Sequence, residues 1–297
     1  MPRNAMFDGF DQRRIAVVGA QINLVMAGDG PPVMLLHGYP QTHVMWHKIA
    51  PRLAEHFTVV VPDLRGYGDS SKPPSGDDYA GYSKRTMAND MVAVMEALGF
   101  EHWAQAGHDR GARVSYRMAL DHKNKVEKLV IMDVVPTIDQ YGAAMNRKAA
   151  VAMYHWFFLA QPAPLPERLI GSDPEFYLRQ SMSSWARDPT AFTDAAMAEY
   201  VRCYSDPETI RATCDCYRAG ATIDCEIDQA SLDAGDKITC PSLILWGDRG
   251  GAWNADRTMD TWSKWASDVR GQPVPGGHFL PEEAPDETLA AMLEFLT

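Results

Sequence analysis

The sequence predicts an α/β domain: a mostly parallel, doubly wound sheet with a helical cap inserted between two of its strands. Three observations carry this. Through residue 136, short continuous apolar runs alternate with helix-period segments, the rhythm of parallel strands covered on both faces. Strand character then vanishes between Pro136 and about Asp236 and returns at Ser242-Leu243-Ile244-Leu245-Trp246. Gly107-His108-Asp109-Arg110-Gly111 stands at a strand-to-helix junction, where paired glycines permit a turn too crowded for a Cβ.

Residues 14–18 and 22–26 read as a hairpin. Residues 33–36 form a buried strand ending at His37-Gly38-Tyr39-Pro40, and 57–61 another ending at Pro62-Asp63. A helical pattern over 86–98 closes at Gly99, a C-terminal cap. Residues 103–106 lead into the glycine pair, Arg110–Asp121 is the following helix, and Val126–Met132 is the next strand, stopping before Asp133. The middle section is helix-like and rich in methionine and aromatics; Gln161-Pro162-Ala163-Pro164-Leu165-Pro166 stiffens a turn within it. A helix over 255–266 and a last strand, Val269–Val274, lead to Gly276-Gly277-His278. The core thus comprises 1–136 and 237–297, and the cap 137–236.

The composition excludes several classes of function. Of 297 residues, 46% are hydrophobic and 23% charged, ordinary globular usage that argues against disorder. The net charge of -11 leaves no basic run for nucleic acid, and an anionic substrate would need concentrated local positive charge. No run of about 18 apolar residues is present to span a membrane. Five cysteines (Cys203, Cys214, Cys216, Cys225, Cys240), an odd number without an export signal, predict reduced thiols in a cytoplasmic protein. Cys214-Asp215-Cys216 lacks the paired spacing of zinc ligands, so neither metal nor cofactor is expected.

Gly-x-nucleophile-x-Gly is the nucleophile elbow of the α/β-hydrolases, and here its central residue is Asp109 rather than serine. A carboxylate displaces a leaving group at saturated carbon and becomes an ester that water must cleave. That second step needs a base, and His278, after the final strand and a Gly-Gly turn, suits it. His108 reads as a packing residue of the elbow, and His37 as a shaper of the loop beside it. The acid orienting His278 has two candidates. Trp246-Gly247-Asp248-Arg249-Gly250 places glycine where many relatives carry the acid and Asp248 two positions early, so Asp133 is preferred. Backbone N–H groups of Tyr39 and Arg110 are the expected oxyanion donors. Arg110 follows the nucleophile and Arg113 lies one helical turn beyond Asp109. Two guanidinium groups there suggest a second anion, a substrate carboxylate gripped bidentately. The bland alternative makes Arg113 a structural ion-pair partner or a solvent-facing residue.

On these residues the chain resembles the fluoroacetate dehalogenases, a branch of the α/β-hydrolases, over nearly its whole length. The resemblance covers His37-Gly38-Tyr39-Pro40, Asp63-Leu64-Arg65-Gly66-Tyr67-Gly68, Gly107-His108-Asp109-Arg110-Gly111-Ala112-Arg113, Asp133, Tyr154-His155-Trp156, Tyr217 and Gly277-His278-Phe279. The first two motifs are shared with epoxide hydrolases. The likeness implies that Arg110 and Arg113 hold the carboxylate of a small haloacid, that His155, Trp156 and Tyr217 receive the halide, and that the chain forms a homodimer. All three halide candidates are hydrogen-bond donors, though aromatic packing within the cap accounts for them equally. Tyr39 stands where some relatives have phenylalanine, and Gly250-Gly251 reads as an open loop. The expected reaction is conversion of fluoroacetate and water to glycolate and fluoride. An epoxide hydrolase using Asp109, His278 and the same acid, with Tyr154 and Tyr217 as proton donors, is the alternative. A non-catalytic receptor is a third reading, disfavoured by the complete Asp109, Asp133 and His278 set.

Overall fold

The structure is a computed structural model that describes residues 6–143, 146–248 and 255–297. The Gly250-Gly251 loop lies outside the described residues. β1 (Asp11–Val17) and β2 (Ala20–Ala27) form the expected hairpin, which starts three residues earlier than apolar pattern alone suggests. Pairing of Asp11 with Met26 recruits polar residues that have no hydrophobic signature, because this ribbon is the exposed edge of the sheet. β3 (Pro32–Leu36), β4 (Thr58–Pro62), β5 (Trp103–His108), β6 (Val126–Met132), β7 (Ser242–Gly247) and β8 (Val269–Val274) complete one sheet in the order β1-β2-β4-β3-β5-β6-β7-β8. From β4 to β8 every neighbouring pair is parallel. The apolar runs of β3, β4, β6 and β7 are buried because helices cover both faces.

Between β6 and β7 the described residues contain helices and no strand. Their starts are legible in the local chemistry. Asp173 and Asp206 each cap a helix whose next residue is proline, and Thr193 caps the helix Asp194–Tyr204. No described helix is long and apolar enough to cross a membrane.

The sheet order places the site. β3 leads outward to β4, whereas β5 begins on the other side of β3, so the strand order reverses between β3 and β5. Open α/β sheets bind ligands outside the carboxyl ends of their strands at such a point. Register sets which residues meet there. Leu36 lies opposite Gly107, and His108 lies opposite Met132. The residues that follow those pairs, His37-Gly38-Tyr39, Asp109 and Asp133, therefore emerge together at one edge.

Asp63, just past β4, holds the neighbouring loops in place. Its carboxylate accepts from the His43 N–H at 2.9 Å, His43 Nδ1 at 2.8 Å, Asn23 Nδ2 at 2.9 Å and the Asp69 N–H at 2.9 Å. Burial alone would raise its pKa, but His43 and the other donors outweigh that and hold it well below the usual carboxylate range. A carboxyl depressed in the folded state stabilises the fold above its unfolded pKa, and that contribution is lost as acid protonates it. Removing one member of such a buried pair costs about 3–5 kcal/mol. Asp63→Ala should therefore lower the urea midpoint correspondingly at neutral pH; a loss under about 1 kcal/mol would contradict this account.

Candidate active site

The elbow is strained and tightly packed. Asp109 adopts φ 47° and ψ -113°, a conformation costing about 1–3 kcal/mol that surrounding contacts must impose. A Cβ on Gly107 would lie 2.4 Å from Ser115 Oγ, and one on Gly111 would lie 2.4 Å from the His37 carbonyl oxygen. The helix Arg110–Asp121 thus packs directly against β3 and β5. β5 runs two residues past the predicted end because Gly107 and His108 still pair with β6.

Around Asp109 the structure gathers several of the residues expected from sequence. The Tyr39 N–H donates to Asp109 Oδ1 at 2.8 Å, while Asp109 Oδ2 lies 3.9 Å from His278 Nε2. The other ring nitrogen, His278 Nδ1, is 2.7 Å from Asp133 Oδ2. Asp133 Oδ1 in turn accepts from the Gly247 N–H at 3.1 Å. Asp248 does not join this group; its carboxylate pairs with Arg187 at 2.6 Å on the exposed surface. Burial would lower the His278 pKa, but the hydrogen bond and charge of Asp133, with the charge of Asp109, raise it. Burial would raise Asp109, but the charges of His278, Arg110 and Arg113 hold it well below the usual carboxylate range.

Both arginines are inside, 0% and 1% exposed, and neither has a carboxylate within ion-pair distance among the described residues. That removes the solvent-facing and ion-pair readings of Arg113. The two differ, however. Arg113 Nη1 donates to the Val135 carbonyl at 2.8 Å and to Thr137 Oγ1 at 3.4 Å. All three Arg110 side-chain nitrogens lack a hydrogen-bond partner. Its guanidinium stacks instead, 3.4 Å from the Tyr217 ring centroid and 4.6 Å from Trp156, and Arg113 also lies 4.5 Å from Trp156. Such stacking contributes about 2 kcal/mol when desolvated, whereas burying an ion costs several. The site is left short of one anion.

The cap supplies the opposite wall. Trp156 meets Tyr217 edge-on at 5.8 Å between centroids, and His155 lies 6.1 Å from Tyr217. Burial, then the charge of Arg110, lowers His155 to about 3, so its imidazole stays neutral. Burial likewise raises the Tyr217 phenol well above its ordinary value, keeping it an O–H donor. Tyr154 stands apart, 50% exposed.

Sequence reasoning missed three participants. Trp185 lies 4.5 Å from the His155 ring and 6.1 Å from His278, and its carbonyl accepts from the His278 N–H at 3.2 Å. Tyr141 packs edge-on against Trp156 at 5.0 Å, with its hydroxyl buried and unpartnered. No sequence signal separates these two from packing aromatics. His108 does more than pack: its Nε2 lies 2.7 Å from the His278 carbonyl oxygen. A carbonyl only accepts, so His108 carries its proton on Nε2 and tethers the His278 loop. His37 similarly bridges two loops, with Nδ1 3.0 Å from the Gly38 carbonyl and Nε2 accepting from the Leu64 N–H at 3.0 Å.

Residues 31–285 match the family described as the alpha/beta hydrolase fold. Over 293 residues the chain is 42% identical to a fluoroacetate dehalogenase of Burkholderia sp, covering 98% of this chain and 95% of the relative. It is 37% identical over 280 residues to a soluble epoxide hydrolase of Corynebacterium sp. (strain C12), covering 93% and 94%. A provisionally assigned alpha/beta hydrolase of Nostoc sp PCC 7120 superposes with a TM-score of 0.95 at 54% identity, covering 98% of this chain and 99% of that one.

Two outcomes test the geometry. Asp133→Asn should lower the pKa of the His278 imidazole, read by NMR of its ring protons; an unchanged titration would refute the pairing. A Cβ on Gly38 would lie 2.4 Å from Asp109 Cβ and 2.9 Å from the His108 carbonyl oxygen. Gly38→Ala should therefore disturb the elbow, visible as loss of the Tyr39 to Asp109 contact in a crystal structure.

Proposed function

Because the chain belongs to the alpha/beta hydrolase family, we propose that it is a hydrolytic dehalogenase of short 2-haloacids, with fluoroacetate yielding glycolate and fluoride. The observation that carries this is the buried, unpartnered guanidinium of Arg110 beside Arg113 and the nucleophile elbow. A substrate carboxylate is the anion that both arginines lack. A neutral epoxide makes no use of it, although an epoxide hydrolase is among the relatives.

In the proposed reaction, Asp109 Oδ2 attacks the halogen-bearing carbon as the carbon–halogen bond breaks, inverting that carbon. Halide leaves toward His155, Trp156 and Tyr217. Fluoride departs poorly without hydrogen-bond donors aimed at it, and a neutral imidazole, an indole and a phenol supply them. Their contact with Arg110 through Tyr217 and Trp156 suits a two-carbon acid, whose carboxylate and halogen lie on adjacent carbons. His278 Nε2 then takes a proton from water while the water oxygen adds to Asp109 Cγ. The oxyanion forms on Oδ1, where the Tyr39 N–H already donates, joined by the Arg110 N–H. Collapse releases glycolate and returns Asp109 carrying one oxygen from water. Asp133 keeps the imidazole oriented for both proton transfers. Among the described residues, six of the seven large exposed apolar ones (Val151, Tyr154, Phe157, Leu165, Leu169 and Phe176) lie on cap helices, which supports a homodimer formed through the cap.

A halide-release panel across fluoro-, chloro- and bromoacetate, with styrene oxide as control, tests the reading. Release of fluoride is expected, whereas turnover of styrene oxide with no halide from any haloacetate overturns it. One turnover in heavy-oxygen water should label Asp109 and leave the first glycolate unlabelled; label in that product sinks the covalent route. Asp109→Asn should lose at least about 10⁴-fold in kcat. His278→Asn should release halide once and stall as a trapped adduct visible by mass spectrometry. The raised His278 pKa adds a pH expectation. Its protonated form cannot act as base, so ester hydrolysis should fail as pH falls through that pKa, while the low pKa of Asp109 sustains a halide burst. Parallel loss of burst and steady-state rates would contradict this.

A further inference from the structure

Just beyond Asp133 the chain passes from core to cap, and residues 134–139 are held by side chains from three helices. Trp262 Nε1 donates to the Val134 carbonyl at 3.0 Å, and Trp265 Nε1 donates to Asp139 Oδ2 at 2.8 Å. Arg113 takes the Val135 carbonyl, as described above. Tyr116, one helical turn beyond Arg113, takes Thr137: its hydroxyl lies 3.0 Å from Thr137 Oγ1 and accepts from the Thr137 N–H at 3.1 Å. The same hydroxyl lies 2.7 Å from Asp228 Oδ2, on the cap helix Ile223–Asp233. Asp228 Oδ2 also accepts from the Ile138 N–H at 3.4 Å, and Arg117 Nη2 lies 3.9 Å from Asp228 Oδ1. Arg113, Tyr116, Thr137 and Asp228 are all buried.

Counting protons fixes the direction of this chain. Tyr116 has one hydroxyl hydrogen, and an ionised carboxylate only accepts, so that hydrogen goes to Asp228. The Tyr116 oxygen then accepts twice, from the Thr137 N–H and the Thr137 hydroxyl. Thr137 Oγ1 is left with its lone pairs for Arg113 Nη1. Every link points the same way, from the arginine in the site to the carboxylate in the cap. Arg110 has no counterpart to it.

We propose that Tyr116, Thr137 and Asp228 are positioning residues that fix Arg113 as the rigid half of the substrate-carboxylate clamp, leaving Arg110 as the half held only by stacking. The clamp's grip then depends on how the cap joins the core, since Asp228 belongs to the cap and Arg113 to the core. This rests on the haloacid reading, and its test is arranged to separate the two.

Tyr116→Phe deletes the relay while keeping the ring against Trp262, and Thr137→Val deletes it from the other end. Wild-type halide release, measured alongside, judges the haloacid reading independently. Where that reading stands, Tyr116→Phe and Thr137→Val should each raise KM for fluoroacetate about tenfold with kcat within about twofold, because a ground-state grip is weakened. Thr137→Ser, which keeps the hydroxyl, should restore the wild-type KM. Glycolate affinity by calorimetry should weaken about tenfold in the same two variants, a readout that needs no turnover. Unchanged KM and glycolate affinity in folded variants, or a uniform loss of kcat that Thr137→Ser does not rescue, would overturn the proposal.

Discussion

The 2.8 Å hydrogen bond from the Tyr39 N–H to Asp109 Oδ1 joins the two loops on which the rest of the site is built. It forms because β3 and β5 are parallel neighbours at the point where the strand order reverses, so their carboxyl ends open side by side. It also divides the labour of one carboxylate. One oxygen is held by the backbone, and the other faces His278. The strained φ of Asp109 persists because glycines at 38, 107 and 111 let three backbone segments close around it.

Electrostatics explains why this edge is unlike the remainder of an acidic protein. A chain of net charge -11 concentrates two guanidinium groups in its interior, next to a helix N-terminus and a carboxylate. Arg110 is compensated by aromatic faces and, beyond ion-pair distance, by the charge of Asp109, a partial match that a bound anion would complete. Arg113 is tied to the backbone at the core–cap joint. The two arginines, three positions apart in sequence, are thus unequal in structure, one stacked and one anchored. The histidines divide similarly: His37 and His108, lowered to about 4 by burial, tether loops as neutral rings, while His278 is raised by its carboxylate partners.

Much of the sheet was legible because buried parallel strands are apolar on both faces, as the runs 129–132 and 243–246 are. The edge hairpin was read short because exposed strands gain their stability from pairing, which polar residues such as Asp11 and Gln12 do not advertise. Trp185 and Tyr141 were invisible for a related reason. A cap aromatic beside the catalytic histidine or the stacked arginine and one in ordinary packing have the same local sequence signature.

Asp109, its flanking glycines and the two following arginines could be read from sequence alone, because backbone crowding and helix periodicity act between near neighbours. So could the alternation that makes the sheet. The carboxylate that meets His278 was legible only as a preference for Asp133 over Asp248, since both follow core strands; the register across β6, β7 and β8 brings the first to 2.7 Å and leaves the second on Arg187. The cap's aromatic wall and the anchoring of Arg113 were likewise decided in three dimensions, since they depend on contacts between residues as far apart as Tyr116 and Asp228.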